Sequence, residues 1–265
     1  MTEDYEYRGL MAQAWDLLRG DTSQWPDRAF YRAVIERDGA PALDVGCGTG
    51  RLLLDYLAAG LDVDGVDNSP EMLALCEAKA ADLGIVVEGR LFHQEMARLD
   101  LPRPYATIFV PSLSFQLLTD LEDVEAAMAR FRDHLIPGGV LVMSFKSKLW
   151  PGRRTPAQMQ WSDWFMIGER PRGENGEVIR RWIRARYDHE AQLEHEENRY
   201  EVLRDGVIIE TEHHQRSPCV RWHSQSQAAA CFERAGFAEV TLTSESTFDP
   251  ATPEDISFKV FGRRP

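Results

Sequence analysis

Two stretches of the chain combine residue types at spacings that could hold a nucleoside-containing ligand. The first is Leu43-Asp44-Val45-Gly46-Cys47-Gly48-Thr49-Gly50-Arg51. Glycines lack a Cβ, so a backbone rich in them turns sharply and lets a ligand approach closely. The second is Gly65-Val66-Asp67-Asn68-Ser69-Pro70-Glu71-Met72-Leu73. Asp67 ends an apolar run, and a carboxylate there can accept hydrogen bonds from both hydroxyls of a ribose. Capping the next helix is the plainer role for Asp67, but Ser69 with Pro70 behind it already fills that position. A dinucleotide fingerprint has the form GxGxxG. Its last glycine is here Arg51, which counts against NAD or FAD, whose pyrophosphate needs a bare helix N-terminus.

Other chemistry-bearing residues cluster further along. Five of the seven histidines fall between His189 and His223. His189, His195, His213, His214, Cys219 and His223 could be read as metal ligands, but no pair has zinc-motif spacing and strand alternation puts many on exposed faces, so no metal is expected. A single histidine acting as general base fits better, with a packed or solvated histidine the commoner case. Arg180-Arg181-Trp182-Ile183-Arg184-Ala185-Arg186 interleaves arginine and aromatic groups as nucleic-acid surfaces do. Glu194, Glu196, Glu197, Glu201, Glu210 and Glu212 follow on neighbouring predicted strands, and cross-strand charge pairing explains the pattern without a ligand.

The elements that must position these groups alternate. Apolar runs at 40–45, 61–66, 85–92, 106–110 and 140–145 read as strands, separated by helical patterns over 51–59, 70–83 and 121–135. Ser69 and a Thr119/Glu122 capping box start two of the helices, and Gly60 and Gly84 close two. Past Trp150 the pattern changes. Residues 177–187 and 193–204 read as extended strands, and Asp205-Gly206 between Val202-Leu203 and Val207-Ile208-Ile209 is a hairpin turn. A helix over 224–235 and strands over 237–243 and 256–261 finish the chain. The expected fold is α/β: a Rossmann-like, doubly wound, seven-stranded sheet, mostly parallel with an antiparallel last strand, carrying an antiparallel β insertion after strand five. The expected division is a helical cap over 1–38, the core over 39–149, a β lobe over 150–222 and the end of the core over 223–265.

Bulk properties bound the function. The chain has 265 residues, 43% hydrophobic and 28% charged, as expected of a globular protein. A net charge of −13 repels phosphate backbones, so nucleic acid is a poor partner unless a local basic stripe overcomes it. Four scattered cysteines, Cys47, Cys76, Cys219 and Cys231, fit a reducing compartment. The acidic start MTEDYEYRGL lacks a signal-peptide pattern, and no apolar run approaches spanning length, so the chain reads as cytoplasmic with no membrane partner.

With these motifs in place, the chain resembles the class I methyltransferases that use S-adenosyl-L-methionine (SAM), in their small-molecule branch. Leu43–Arg51 is similar to their motif I and Val66–Leu73 to their acidic second motif. Gln94-Glu95-Met96 stands where relatives usually carry Gly-Asp-Met. Phe109–Gln116 resembles the segment after strand four, and Leu135-Ile136-Pro137-Gly138-Gly139-Val140-Leu141 the L-x-PGG-x-L run before strand five. The resemblance covers roughly residues 1–148 and the last two strands. It implies that Gly46, Cys47, Gly48, Gly50 and Arg51 border the methionine part of SAM and that Asp44 orients its amino group through water. Asp67 would hold the ribose. Asn68, Met72 and Met96 would contact adenine, with Glu95 accepting from its amine, although Gln94 and Glu95 depart from the usual pair. Met72 and Met96 are equally at home as core packing. Val110 and Pro111 would line the transfer site.

The resemblance also implies an acceptor pocket built from Trp15, Ser112, Phe115, Trp150, Trp164 and Arg221. His223 is the first candidate base, because Val220–His223 leads into a helix that faces the pocket in similar enzymes; His214 is the second. Methyl transfer displaces an activated sulfonium, so positioning supplies most of the help, roughly 7–11 kcal/mol at best. A base is needed only where the acceptor must lose a proton. The implied activity is transfer to a nitrogen or oxygen of a small molecule: a natural product, amino sugar or amino-acid derivative. An RNA methyltransferase docking through the arginine stretch, or a SAM-binding protein without turnover, are the alternatives. The exposed β lobe offers a homodimer surface.

Overall fold

Residues 7–147, 159–173 and 175–265 are described by a computed structural model. The apolar runs form the strands expected of them: Ala42–Val45 (β1), Val63–Asp67 (β2), Leu91–His93 (β3), Tyr105–Val110 (β4) and Leu135–Lys146 (β5). β1 and β4 are buried at every position, as parallel strands covered on both faces must be. Two later strands, Ala238–Ser244 (β10) and Ser257–Arg263 (β11), complete a seven-stranded sheet in the order β10-β11-β5-β4-β1-β2-β3. β1, β2, β3, β4 and β5 pair in parallel, while β11 runs antiparallel to both β5 and β10. The Rossmann-like sheet with an antiparallel last strand is as the sequence implies.

Helices α2 (Pro26–Asp38), α3 (Leu53–Ala58) and α4 (Pro70–Leu83) supply one core with Phe109, Val142 and Phe261. Helices α5 (Leu121–His134) and α6 (Gln225–Arg234) supply the other with Ile108, Met143, Phe145 and Phe258. Ser69 caps α4 by accepting from the Met72 amide at 3.1 Å, and Gly84 ends it in the left-handed region.

A second unit is built from α1 (Gly9–Arg19) and the antiparallel sheet β6 (Phe165–Arg172), β7 (Glu177–Asp188), β8 (Leu193–Arg204) and β9 (Val207–Arg221). Leu10, Met11 and Ala14 of α1 pack on Ile179, Tyr200 and Val202. No side chain at Arg8 caps α1; the Glu212 carboxylate of β9 accepts from the Leu10 amide at 2.6 Å instead. The 38-residue cap read from the sequence is shared out: of its described residues, 7–22 belong with the β lobe, and α2 with the sheet unit.

Local expectations need correcting at four places. The cap of α5 is Asp120, accepting from the Glu122 amide at 2.8 Å, not Thr119. The third strand shrinks to three residues because Val87–Arg90 forms a turn and Val86 is exposed. β5 begins at Leu135, with Pro137-Gly138-Gly139 as a bulge: Tyr105 pairs with Leu135 but Thr107 with Val140. β6 is a strand the sequence does not announce, exposed along most of both faces and broken by an irregularity near Gly168.

Candidate active site

The glycine loop leaves β1 and is tied at once to β2, because the Gly46 and Cys47 amides both donate to the Val66 carbonyl (2.8 and 3.1 Å). Two of its glycines are obligatory on geometry. Gly46 has φ +74°, and a Cβ there would sit 2.7 Å from Ser114 Oγ. Gly50 has φ +81°, and a Cβ would sit 2.5 Å from Cys76 Sγ. The loop is therefore closed against α4 on one side and the segment after β4 on the other. The Cys47 side chain is buried beside Gly65, and burial holds its thiol well above the usual range. Only its backbone can serve a ligand.

Asp67 does more than the sequence reading allows it. Its Oδ2 accepts from the Gly48 amide and its Oδ1 from the Ser69 amide, both at 2.9 Å. The carboxylate thus latches the glycine loop onto β2, with a second lone pair on each oxygen available. Burial raises its pKa, opposed by those backbone donors. Asp44 is 1% exposed, and among the described residues its Oδ1 has no hydrogen-bond partner. Burial pushes its pKa up to about 8, the nearby Arg51 charge working against this. A buried carboxylate oxygen without a partner is costly, and a site that binds a cationic group accounts for it.

Arg51 is committed elsewhere. It makes a two-point contact with Asp27 (3.0 and 2.5 Å), and its guanidinium lies 5.1 Å from the Trp25 ring. It fastens the start of α2 over the loop rather than offering a free cation. On the side expected to take adenine, Asn68 is exposed and Met72 is buried, its Cε 3.2 Å from where a Gly48 Cβ would lie. Glu95 is exposed and paired with Arg98 at 3.2 Å, and Met96 packs on the core. Gln94 has a local purpose: its Oε1 accepts from the Asp100 amide (2.7 Å) and its Nε2 donates to the Asp100 carbonyl (2.9 Å), closing the turn after β3.

Beyond β4, Val110 and Pro111 are buried, and Ser112 and Leu113 follow at φ +55° and +67°. Two consecutive non-glycine residues in the left-handed region store strain, on the order of 1–3 kcal/mol each, a feature concentrated at functional sites. The turn is held by Ser114 Oγ donating to the Pro111 carbonyl at 2.9 Å. Ser112 is exposed, as an acceptor contact requires. Phe115 does not fit its expected place in the pocket: it is wholly buried against Phe131, Phe145 and His223 and so supports the wall from behind. His223 is buried with its ring 5.6 Å from that of Phe145, directly ahead of α6, whose start is fixed by a reciprocal Ser224–Gln227 capping box.

Residues 42–139 match the family model described as a methyltransferase domain. Those residues form a methyltransferase domain. Among curated relatives, it is 28% identical over 155 residues to a dTDP-3-amino-3,6-dideoxy-alpha-D-glucopyranose N,N-dimethyltransferase of Streptomyces fradiae, covering 56% of this chain and 58% of that one. It is 30% identical over 128 residues to a ubiquinone biosynthesis O-methyltransferase of Xanthomonas axonopodis pv. citri, covering 48% and 49%. The chain spans about half the length of these relatives. The solved structure of SAM-bound CalS10, an amino pentose methyltransferase from Micromonospora echinaspora, superposes with a TM-score of 0.65 over 99% of both chains at 23% identity, which shows a shared fold.

The sheet unit also holds a buried group that the sequence did not point to. Tyr31 Oη and Ser144 Oγ are 2.7 Å apart, and Ser144 lies 3.5 Å from the Val110 carbonyl at the end of β4. Opposite Ser144 on β11 is Lys259, 1% exposed, its ammonium 4.4 Å from the Phe30 ring and 5.4 Å from Tyr31. Burial lowers its pKa to about 8. The signal was available: a lysine inside the apolar run Phe258-Lys259-Val260-Phe261.

The other expected acceptor residues belong to the β lobe. Trp15 is bracketed by Tyr7 (ring centroids 4.7 Å apart) and the Arg19 guanidinium at 4.0 Å. Trp164 lies between Arg184 and Arg199, and Arg221 donates to the Ala191 carbonyl at 3.1 Å. His214 is buried with its Nε2 2.8 Å from the Glu212 carboxylate. Trp150 lies outside the described residues. The arginine stretch is largely neutralised by the neighbouring glutamates: Arg180 with Glu169, Arg181 with Glu196 at 3.2 Å, and Arg184 with Glu197 at 2.6 Å. Among the described residues no helix is long and apolar enough to cross a membrane.

Proposed function

We propose that the protein is a SAM-dependent methyltransferase acting on a nitrogen or oxygen of a small-molecule acceptor, with an amine the preferred group. The observation that carries the reading is the buried, unpartnered oxygen of Asp44 beside a glycine loop latched by Asp67. That arrangement fits SAM: Asp44 for the methionine amino group, Asp67 for the ribose hydroxyls, Gly46, Gly48 and Gly50 for close backbone approach. Asn68, Met72, Glu95 and Met96 would flank adenine. SAM supplies an electrophilic methyl group; the chain supplies position. Val110, Pro111 and the strained Ser112 would hold the acceptor atom in line with that methyl group.

His223, buried against Phe145 and Phe115 directly ahead of α6, is the candidate base that would take a proton from the acceptor. An amine suits the acidic chain and the N,N-dimethyltransferase likeness; the O-methyltransferase likeness keeps oxygen in the reading. RNA fits less well, because the arginines of β7 are mostly spent on glutamates.

Calorimetric titration with SAM and with NADH tests the reading. Wild type binds SAM and ignores NADH, and Asp67→Ala weakens SAM binding by at least about 1–3 kcal/mol. A folded mutant with unchanged affinity removes the ribose assignment; a folded wild type that ignores SAM overturns the function. With labelled methyl groups, His223→Ala lowers turnover while sparing SAM affinity. Equal loss of both would make His223 a packing residue.

A further inference from the structure

The lobe face opposite α1 carries a continuous stack of alternating guanidinium and indole groups. Residues 159–162 run beside the end of β7, with the Met159 amide donating to the Tyr187 carbonyl (2.9 Å) and the Ser162 amide to the Ala185 carbonyl (2.8 Å). This lays Trp161 across two arginines of β7, its ring 4.8 Å from Arg186 and 4.9 Å from Arg184. Trp164 then lies between Arg184 (5.1 Å) and Arg199 (5.2 Å), and Trp182 follows at 5.4 Å from Arg199. Inside the stack the charges are balanced: Arg184 by Glu197 at 2.6 Å and Arg199 by Glu201 at 3.0 Å.

The end of the stack is not balanced. Of the four arginines on β7, Arg186 alone has no carboxylate partner among the described residues. Among the described residues its Nε is buried without a hydrogen-bond partner, and its Nη2 lies 3.5 Å from the Ser217 hydroxyl. Directly opposite Arg186 on β8 is His195, whose Nδ1 lies 2.7 Å from Ser217 Oγ on β9. Burial, then the Arg186 charge, holds the His195 pKa below its ordinary value. The nearby Asp188 accepts through Oδ1 from the amides of Glu190 and Ala191 (3.1 and 2.9 Å). Three strands thus present a guanidinium, a hydroxyl and an imidazole side by side, with an orphaned donor among them. Donors converging from three strands suit a tetrahedral anion better than a planar carboxylate, which one guanidinium edge would satisfy.

We infer that Arg186, His195 and Ser217 form a binding site for a phosphoryl group carried by a small molecule. An extended nucleic-acid backbone would need a row of free cations, and only the end of this row is free.

The test uses the full chain, titrated with pyrophosphate, with acetate and, in the same samples, with SAM. Wild type binds pyrophosphate at least tenfold more tightly than acetate. Arg186→Met weakens pyrophosphate binding at least tenfold, Arg186→Lys retains part of it, and SAM affinity is unchanged in both. Ser217→Ala, at an exposed position, weakens it several-fold and keeps the test open if Arg186→Met does not fold. Absence of pyrophosphate binding by wild type, affinity indifferent to these substitutions, or equal affinity for acetate overturns the site. A single-stranded RNA whose tight binding is lost in Arg186→Met overturns its small-molecule character. Pyrophosphate binding without SAM binding would remove the methyl-transfer reading and leave the anion site standing; SAM binding without pyrophosphate binding would do the reverse.

Discussion

The sheet unit and the β lobe use charge in opposite ways. In the sheet unit the charged groups that matter are few and buried: Asp67 held by two amides, Asp44 with an oxygen unpartnered among the described residues, Lys259 against two aromatic rings. In the lobe charges are many and half-exposed, and most of the arginines on its central strands are matched by a carboxylate on the same or the neighbouring strand. Buried charge is expensive and tolerated where a ligand uses it; surface pairing costs little and contributes little. A carboxylate in the first unit therefore points to chemistry, whereas in the lobe it is the arginine lacking a carboxylate that does.

The largest expected effect lies at Gly50. Valine there must adopt φ +81° and place its Cβ 2.5 Å from Cys76 Sγ and 2.8 Å from Leu54 Cγ. Overpacking and backbone strain together cost about 3 kcal/mol or more. Gly50→Val loses measurable SAM binding and lowers the urea midpoint, whereas valine at Gly176 in the lobe, where φ is also positive but nothing lies within 4 Å, leaves SAM binding intact. Equal damage at both sites would show that backbone conformation, not the crowding of the loop, is what matters.

Lys259 gives a smaller effect of opposite sign. Folded Lys259 titrates near 8 and an ordinary lysine near 10.5. Between those values the unfolded chain binds more protons, so stability rises with pH across that window, and the full cost of the buried ammonium is present below it. Lys259→Met keeps the length and removes the charge. It stabilises the protein by about 1–3 kcal/mol at pH 7, and the gain shrinks as pH rises from 8 to 10.5. Urea unfolding at both ends of the range checks this. A loss at pH 7 would mean that the contacts with Phe30 and Tyr31 outweigh desolvation.

Legibility in the sequence follows the same division. The sheet unit was readable because its motifs are contiguous: a glycine loop, an acidic residue directly after the last apolar residue of β2, and capped helices with a regular apolar stripe. What stayed hidden there depends on distant partners. Phe115 reads as a pocket residue until Phe131, Phe145 and His223 close around it, and Asp67 reads as a ribose ligand alone until the Gly48 amide is found on it. In the lobe the strands of the central hairpin were legible from alternation and Asp205-Gly206, but β6 was not, since an edge strand exposed on both faces has no period-two signal. Trp161, Trp164 and Trp182 are far apart or unremarkable in sequence; only strand register brings them into one stack.

That stack sets the smallest effects, and they separate two kinds of lobe charge. Trp164 touches two guanidinium groups, so Trp164→Leu removes two cation–π contacts at about 0.5–1 kcal/mol each. Arg204 pairs with Glu177 at 2.5 Å but is half-exposed, and Arg204→Gln costs no more than about 0.5 kcal/mol. Salt distinguishes them. The Arg204 effect fades in high salt, because an exposed ion pair is screened, while the Trp164 effect persists because much of it is ring packing. Unfolding at low and high ionic strength reads both. If Trp164→Leu proves as small and as salt-sensitive as Arg204→Gln, the stack is a surface arrangement without cohesion.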